Sequence, residues 1–324
     1  MMTSRRTLLA LALASFAVAP AVHAQAQGWP SKPIHFVVPF APGGANDLLA
    51  RSAAEGASKV LGQSIIIENR AGAGGSVGAD YVARAPADGY TFLISAAGVI
   101  SNSLIKKSLP FKDEDLTPVV MIGLAPSVIV VLKTAPYNTL KEFVEASKKG
   151  PGFNFATAGT GSTPHFVAEM LNVKYGAKLQ PVPYKSGSES TTAVIGGQVE
   201  GTSEASIIAL PHIRGEGRFK ALATTWTQRI SAYPQLSTAV EQGFPELQIA
   251  HWAGLHAPRG TPPAILDKLA AAVDKAMHDP EAAKKLKDLG IEPIGGTRPE
   301  FVKFVDAERK RLGEVVTAAR MKEE

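Results

Sequence analysis

Two stretches of this chain combine glycine, hydroxyl and proline residues at a spacing suited to holding an anion. In the first, Phe40-Ala41-Pro42-Gly43-Gly44-Ala45-Asn46-Asp47 follows the apolar run Val37-Val38 and leads into Leu48-Leu49-Ala50-Arg51. This pattern predicts a strand that stops at a Pro/Gly turn and re-emerges as a helix, with Asn46 placed to cap its first turn. Unpaired N–H groups and the positive end of the helix dipole then point beyond the strand, and glycine lets the main chain approach a guest closely. The second stretch, Thr157-Ala158-Gly159-Thr160-Gly161-Ser162-Thr163-Pro164-His165, repeats the theme as strand, glycine turn, hydroxyl cap and proline at the first helical position. Magnitudes require both. One helix dipole contributes about 0.3 to 2 kcal/mol, whereas micromolar binding needs roughly 8 kcal/mol. Two facing helix starts, each offering charge-assisted bonds of about 1.5 to 3 kcal/mol, reach useful affinity once closure excludes water.

Other side chains near these stretches have competing roles. Tyr184-Lys185-Ser186-Gly187 is a further strand-to-turn junction, and Lys185 is the one cation among these loops, equally readable as a solvated lysine. Asp47 would repel an anion and is assigned to orienting its loop. His165 reads as a helix-start or packing residue more readily than as a ligand. Trp252, inside Ile249 to Leu255, reads as hinge packing, with a stacking platform for an aromatic acid as its second role. Two enzyme signatures fail. Gly74-Gly75-Ser76-Val77-Gly78 has the G-x-S-x-G spacing of a nucleophile elbow, but a long loop separates Ser76 from the strand before it. G-x-G-x-x-G fails because its last position is Val77 in one stretch and Pro164 in the other. The rival class is an exported hydrolase using Ser76 or Ser162 with one of His165, His212, His251 or His256. A further alternative is a sensor that hands its liganded form to a signalling partner.

The elements that would position these loops alternate short β-branched runs with amphipathic helices, the pattern of a mostly parallel sheet covered on both faces. Ile65-Ile66-Ile67 is expected to be a second buried strand, leading through a glycine-rich turn at Gly72 to Gly75 into a helix carrying Val77, Tyr81 and Val82. Thr91 to Ile94 is a third strand, and Ser95 to Asn102 reads as a polar loop. Ser127 to Leu132 is expected to make the first crossing into a second domain, and Ile249 to Leu255 the return. Thr139 caps a helix ending near Lys149, Ala221 to Thr225 is a strand, and Gln228 to Leu236 is a loop. Thr261 with Pro262 and Asp279 with Pro280 start helices, and a last one after Pro299 places Phe301, Val305, Leu312 and Val316 on one face.

Composition bounds the function classes. The chain has 324 residues, 45% hydrophobic and 19% charged, enough for two ordinary globular domains. Its formal charge is +5, falling to about +3 without Arg5 and Arg6, and no basic run interleaves with aromatics, which argues against nucleic acid. Absence of cysteine excludes disulfides and thiolate metal sites. Ser4-Arg5-Arg6, Leu8 to Val18 and Val22-His23-Ala24 have the layout of a signal peptide cleaved after Ala24, which predicts export. The paired arginines also fit a twin-arginine signal, a second-ranked reading.

Six motifs in register carry a resemblance: Pro39 to Asp47, Glu68-Asn69-Arg70 to Gly75, Asp88-Gly89-Tyr90, Gly159 to His165, Gly196-Gly197-Gln198-Val199 and Ala257-Pro258 to Pro262. Across essentially the whole mature chain the sequence resembles the Bordetella uptake gene (Bug) family, the TctC-type extracytoplasmic receptors of tripartite tricarboxylate transporters. That resemblance implies an α/β, two-domain periplasmic binding protein, type II-like, with a two-strand hinge and a ligand cleft between the domains. It implies domain 1 at 25–126 plus 249–324 and domain 2 at 127–248. It implies no catalysis, cofactor or metal, a small mono-, di- or tricarboxylate as ligand and membrane permease subunits as partner; for oligomeric state, a monomer is the default expectation. Carried over by position, the ligand loops are Phe40 to Asp47, then Ala97 and Asn102 after the third strand, then Thr157 to His165, with Tyr184, Lys185, Ser186, Glu204 and Trp252 completing the candidate site. Departures from the family pattern are Ser186-Gly187 in place of Gly-Ser, and Glu200 and Glu204 in place of aspartates. Gly201, Thr202 and Ser203 are smaller and more polar than usual, which predicts a roomier pocket or a loosened strand.

Overall fold

The structure is a computed structural model that describes residues 28–322. The expected leader and its cleavage point lie outside the described residues. β1 (Ile34–Val38), α1 (Ala45–Leu61), β2 (Ile65–Asn69), α2 (Ser76–Ala83), β3 (Thr91–Ser95) and α3 (Ala97–Ile105) open the first lobe, and β4 (Leu116–Leu132) carries the chain out of it. The second lobe contains α4 (Leu140–Ser147), β5 (Phe153–Thr157), α5 (Thr163–Tyr175), β6 (Leu179–Pro183), α6 (Gly187–Ile195), β7 (Gly201–Ala205), α7 (Ser206–Ile213) and β8 (Phe219–Thr224). β9 (Ala250–Pro258) returns to the first lobe, where α8 (Pro263–Met277), α9 (Pro280–Asp288), β10 (Glu292–Pro293) and α10 (Arg298–Ala318) follow.

The strand order β2-β1-β3-β9-β4-β7-β5-β6 joins both lobes into one curled sheet, with β8 and β10 also pairing to β4. Pairing is parallel between β1, β2 and β3 and between β5, β6 and β7. It is antiparallel wherever β4 or β9 takes part. The expected mostly parallel sheet is therefore a mixed one, because the strands that cross between lobes run against the rest. β4 pairs with β9 from Leu116 to Pro126 and with β7 from Ser127 to Val131, so a single strand serves both lobes.

Capping explains several helix limits. Asp279 accepts from the Ala282 N–H at 2.9 Å, and Thr297 with Glu300 forms a reciprocal box at the start of α10. Thr139 accepts from Glu142 N–H at 3.1 Å. Thr261 does not cap α8: its hydroxyl donates to the Pro258 carbonyl at 2.8 Å, closing the turn before it.

Other expectations are corrected as well. Ser95 to Asn102 is not a loop, since α3 begins at Ala97; its β-branched, Ser and Asn residues are weak helix formers, and burial of Ala97, Val99, Ile100 and Ile105 overrides that preference. β4 starts at Leu116 rather than Ser127, with irregularities between Pro118 and Val120 and between Met121 and Gly123 absorbing Pro118 and Gly123, while Pro126 pairs in register with Ala250. β2 is an edge strand with Ile66 42% exposed, not a buried one. α7 has no counterpart in the sequence reading because Pro211 inside it disguises the helix. The residues of β7 are buried and paired, so Gly201, Thr202 and Ser203 do not loosen their strand.

Candidate functional site

Five strand-to-helix junctions converge on one cavity of about 470 Å³ between the lobes. The first lobe supplies Phe40 to Asn46 from β1–α1, Gly74, and Ala96 to Gly98 from β3–α3. The second supplies Ala158 and Thr160 to Pro164 from β5–α5, Lys185 to Ser188 from β6–α6, and Glu204, Ala205 and Ile208 from β7–α7. His251 and Trp252 of β9 complete the wall. Crevices beyond the carboxyl ends of strands are where open α/β sheets place ligands, since helix starts leave their first N–H groups without an intrahelical acceptor. Leu48 N–H is the first in α1 to bond back, to Gly44 O at 3.1 Å, and Phe166 N–H the first in α5, to Ser162 O at 3.1 Å.

Gly43 and Gly161 line the same cavity, but their N–H groups are already used. Gly43 N–H donates to Asp47 Oδ2 at 3.0 Å, and Gly161 N–H donates to His165 Nδ1 at 3.1 Å. These contacts hold each glycine turn open toward the cavity, leaving the helix-start N–H groups next to them as the donors. Positive φ at both glycines, 83° and 76°, is a conformation that other residues adopt only under strain. Asn46 is not the cap of α1. Gly44 holds that position in extended conformation, and the Asn46 amide instead donates to Trp252 O at 2.9 Å, tying α1 to β9. Ser162 occupies the cap position of α5, yet its hydroxyl donates to Gly159 O at 2.6 Å and closes the turn.

Six candidates do not reach the cavity and act behind it. Asp47, 2% exposed, also accepts from Arg51 Nε at 2.8 Å and Asn69 Nδ2 at 2.9 Å. Burial alone would raise its pKa, but the bonds from Arg51, Gly43 and Asn69 outweigh it and hold the carboxyl below its ordinary value. Asn102 donates to Gly74 O at 2.9 Å and positions the second glycine turn. Thr157 O accepts from Tyr184 N–H at 2.8 Å, and Gly159 O takes the Ser162 hydroxyl. His165 accepts through Nδ1, which leaves its other nitrogen to face Glu169 at 3.7 Å. Across the cleft, the buried Ser101 hydroxyl donates to Gly161 O at 3.0 Å and links the lobes.

Lys185 and Glu204 are the charged types among the lining residues, and they differ in burial. Lys185 is exposed, whereas Glu204 is 3% exposed and its Oε1 has no hydrogen-bond partner. Burial pushes the Glu204 pKa up to about 8 and the His251 pKa down to about 4, so both favour the neutral form. Trp252 is 1% exposed, packed on Phe304 and Phe301 at ring distances of 5.3 and 6.1 Å, with its Nε1 also unpartnered. It therefore packs the hinge and contributes an edge to the cavity. The serines of the rival hydrolase are not paired with histidine: Ser162 bonds Gly159, and the buried Ser76 hydroxyl has no partner. His251 lies 3.4 Å from the buried Ser127 hydroxyl, and His256 bonds Ser95 at 2.6 Å. Sequence reasoning missed Gly74, Ala96, Gly98, Gly187, Ser188, Ala205, Ile208 and His251 as lining residues; the strand-to-helix alternation flagged the turn at Gly74 but gave no sign of α3 or α7.

A curled α/β sheet spanning two lobes, with helix starts from both facing one cleft, defines the class of the periplasmic binding proteins. The chain belongs to the tripartite tricarboxylate transporter family receptors, whose model matches residues 49–321. It is 33% identical to Protein BugT of Bordetella pertussis over 99% of both chains. Among solved structures it is similar to an R. palustris protein described with adipate, at 32% identity and a TM-score of 0.84 over 91% of this chain and 99% of that one. MatC from Rhodopseudomonas palustris, described with bound malate, is 33% identical with a TM-score of 0.79 over 89% of this chain and all (100%) of that one.

Proposed function

We propose that this chain is a non-catalytic periplasmic receptor that closes on a small carboxylate and presents it to the permease of a tripartite tricarboxylate transporter. The observation that carries the reading is the convergence of five helix starts, drawn from both lobes, on one cavity. Helix starts supply N–H donors and positive dipole ends, a combination that favours an anion over a neutral solute. Malate and adipate in the related structures are carboxylates of a size such a cavity accommodates. In this reading the loops Phe40–Asn46, Ala97, Ala158, Thr160–Ser162, Lys185 and Ser186 contact the ligand, while Asp47, Asn102, Thr157, Gly159, His165 and Tyr184 set their shape. In the same reading the described residues of 25–126 and 249–324 form one moving body and those of 127–248 the other, hinged on β4 and β9.

Calorimetry of residues 25–324 against malate, adipate and citrate tests the reading, alongside glucose as a neutral control. Saturable binding of at least one carboxylate and none of glucose is expected. Silence with every carboxylate, or tight binding of the sugar, overturns it. Recovery of permease subunits from membranes by the loaded receptor, and not by the empty one, tests the partner.

A further inference from the structure

We propose that Glu204 enters the closed cavity as a carboxylic acid and donates its proton in a hydrogen bond to the second carboxylate of a dicarboxylate ligand. This rests on the receptor reading above and narrows it to a ligand class.

Geometry places the group. Glu204 lies on β7 in the wall of the cavity, and its Oε1 is buried without a partner. Its carboxyl lies against the start of α6, where a Cβ added to Gly187 would come within 2.4 Å of Oε2. The two sequence departures thus meet in space: the longer acidic side chain fills the room that glycine leaves.

The surroundings decide the protonation state. On the β6–α6 turn stands Lys185, whose main-chain N–H is bonded to Glu189 at 3.1 Å. On β9 stands His251, which burial keeps neutral down to about pH 4. β4 presents the apolar Val128 in register with Glu204, whereas the hydroxyl of the adjacent residue, Ser127, is bonded to Ser203. Among the described residues no cation forms an ion pair with Glu204, and burial moves its pKa to about 8, toward the acid form. The start of α6 eases ionisation, but an incoming carboxylate reverses that, because two carboxyl groups sharing a dry site retain one proton between them. An ammonium group in this position would meet a ring of positive helix ends, which disfavours a zwitterionic guest.

The sign follows from linkage. If bound dicarboxylate requires the proton on Glu204, affinity is flat below the free protein's Glu204 pKa and falls up to about tenfold per pH unit above it. Adipate binding measured between about pH 6.5 and 9.5 should show this fall, and hexanoate, which lacks the second carboxylate, a much shallower one. Calorimetry at about pH 8.5 in buffers of different ionisation enthalpy should show proton uptake with adipate. E204Q, whose amide donates at every pH, should lose the decline. The wild-type series needs no variant to fold. Adipate affinity that is flat or rises with pH, or proton release on binding, overturns the assignment alone. Failure of adipate and hexanoate alike to bind near pH 6.5 overturns the receptor reading together with it.

Discussion

Asp47 shows how a single side chain sets up a binding loop without touching the guest. Its carboxylate gathers donors from Gly43, Arg51 and Asn69, so it fixes the glycine turn, the first turn of α1 and the end of β2 at once. Removing the charge in Asp47→Asn should cost about 1 to 3 kcal/mol, toward the lower end because Arg51 is half exposed, measurable as a lowered chemical-denaturation midpoint. The pH sign is fixed by the lowered pKa. Stability from Asp47 is in full above its ordinary value of 3.8 and is lost as pH falls through the folded-state value, so the variant should show a weaker acid dependence than wild type. The loop-orienting role of Asp47 was legible in the sequence because an anion next to an anion site needs another purpose. Asn46 was not legible as a tie to Trp252 O, since a bond to a residue so distant in the chain leaves no local trace.

At the scale of elements, β9 and α10 build the wall behind the cavity through close packing. A Cβ at Gly254 would come within 2.2 Å of the Phe301 ring, so glycine at this point of β9 lets the outer end of the ring press directly against the strand. Gly254→Ala should therefore destabilise by about 1 to 3 kcal/mol through overpacking. Phe301→Ala should cost about 3 to 5 kcal/mol through the void it leaves, and both appear as lower melting temperatures. Buried Phe301, Val305, Leu312 and Val316 were readable as one face because their spacing follows the helical period. α3 was not, because its composition favours loop and only contacts with the rest of the fold make it helical. β4 was half readable: Val128 to Leu132, after Ser127, is an unbroken apolar run, while Pro118, Gly123 and Pro126 hide the part before it.

For the whole molecule, closure is the property that function needs, and one hydrogen bond reports on it. Ser101 on α3 reaches Gly161 O across the cleft, and a Cβ at Gly161 would fall 2.6 Å from the Ser101 hydroxyl. Ser101→Ala should weaken ligand binding roughly three- to tenfold by removing a bond worth about 0.5 to 1.5 kcal/mol in the closed form. Gly161→Val should weaken it further, by obstructing the same contact and straining a positive φ, while the circular dichroism spectrum of the fold is retained. Calorimetric affinities of both variants equal to wild type would contradict this. The path of the chain has one more consequence. Pro126 and Ala250 sit side by side in the β4–β9 ladder, so everything between them leaves and rejoins at one point. A short turn joining these neighbours would make a plain hairpin of the remainder, so the intervening segment can be grafted between relatives through two adjacent seams, provided its packing against α10 is matched as well.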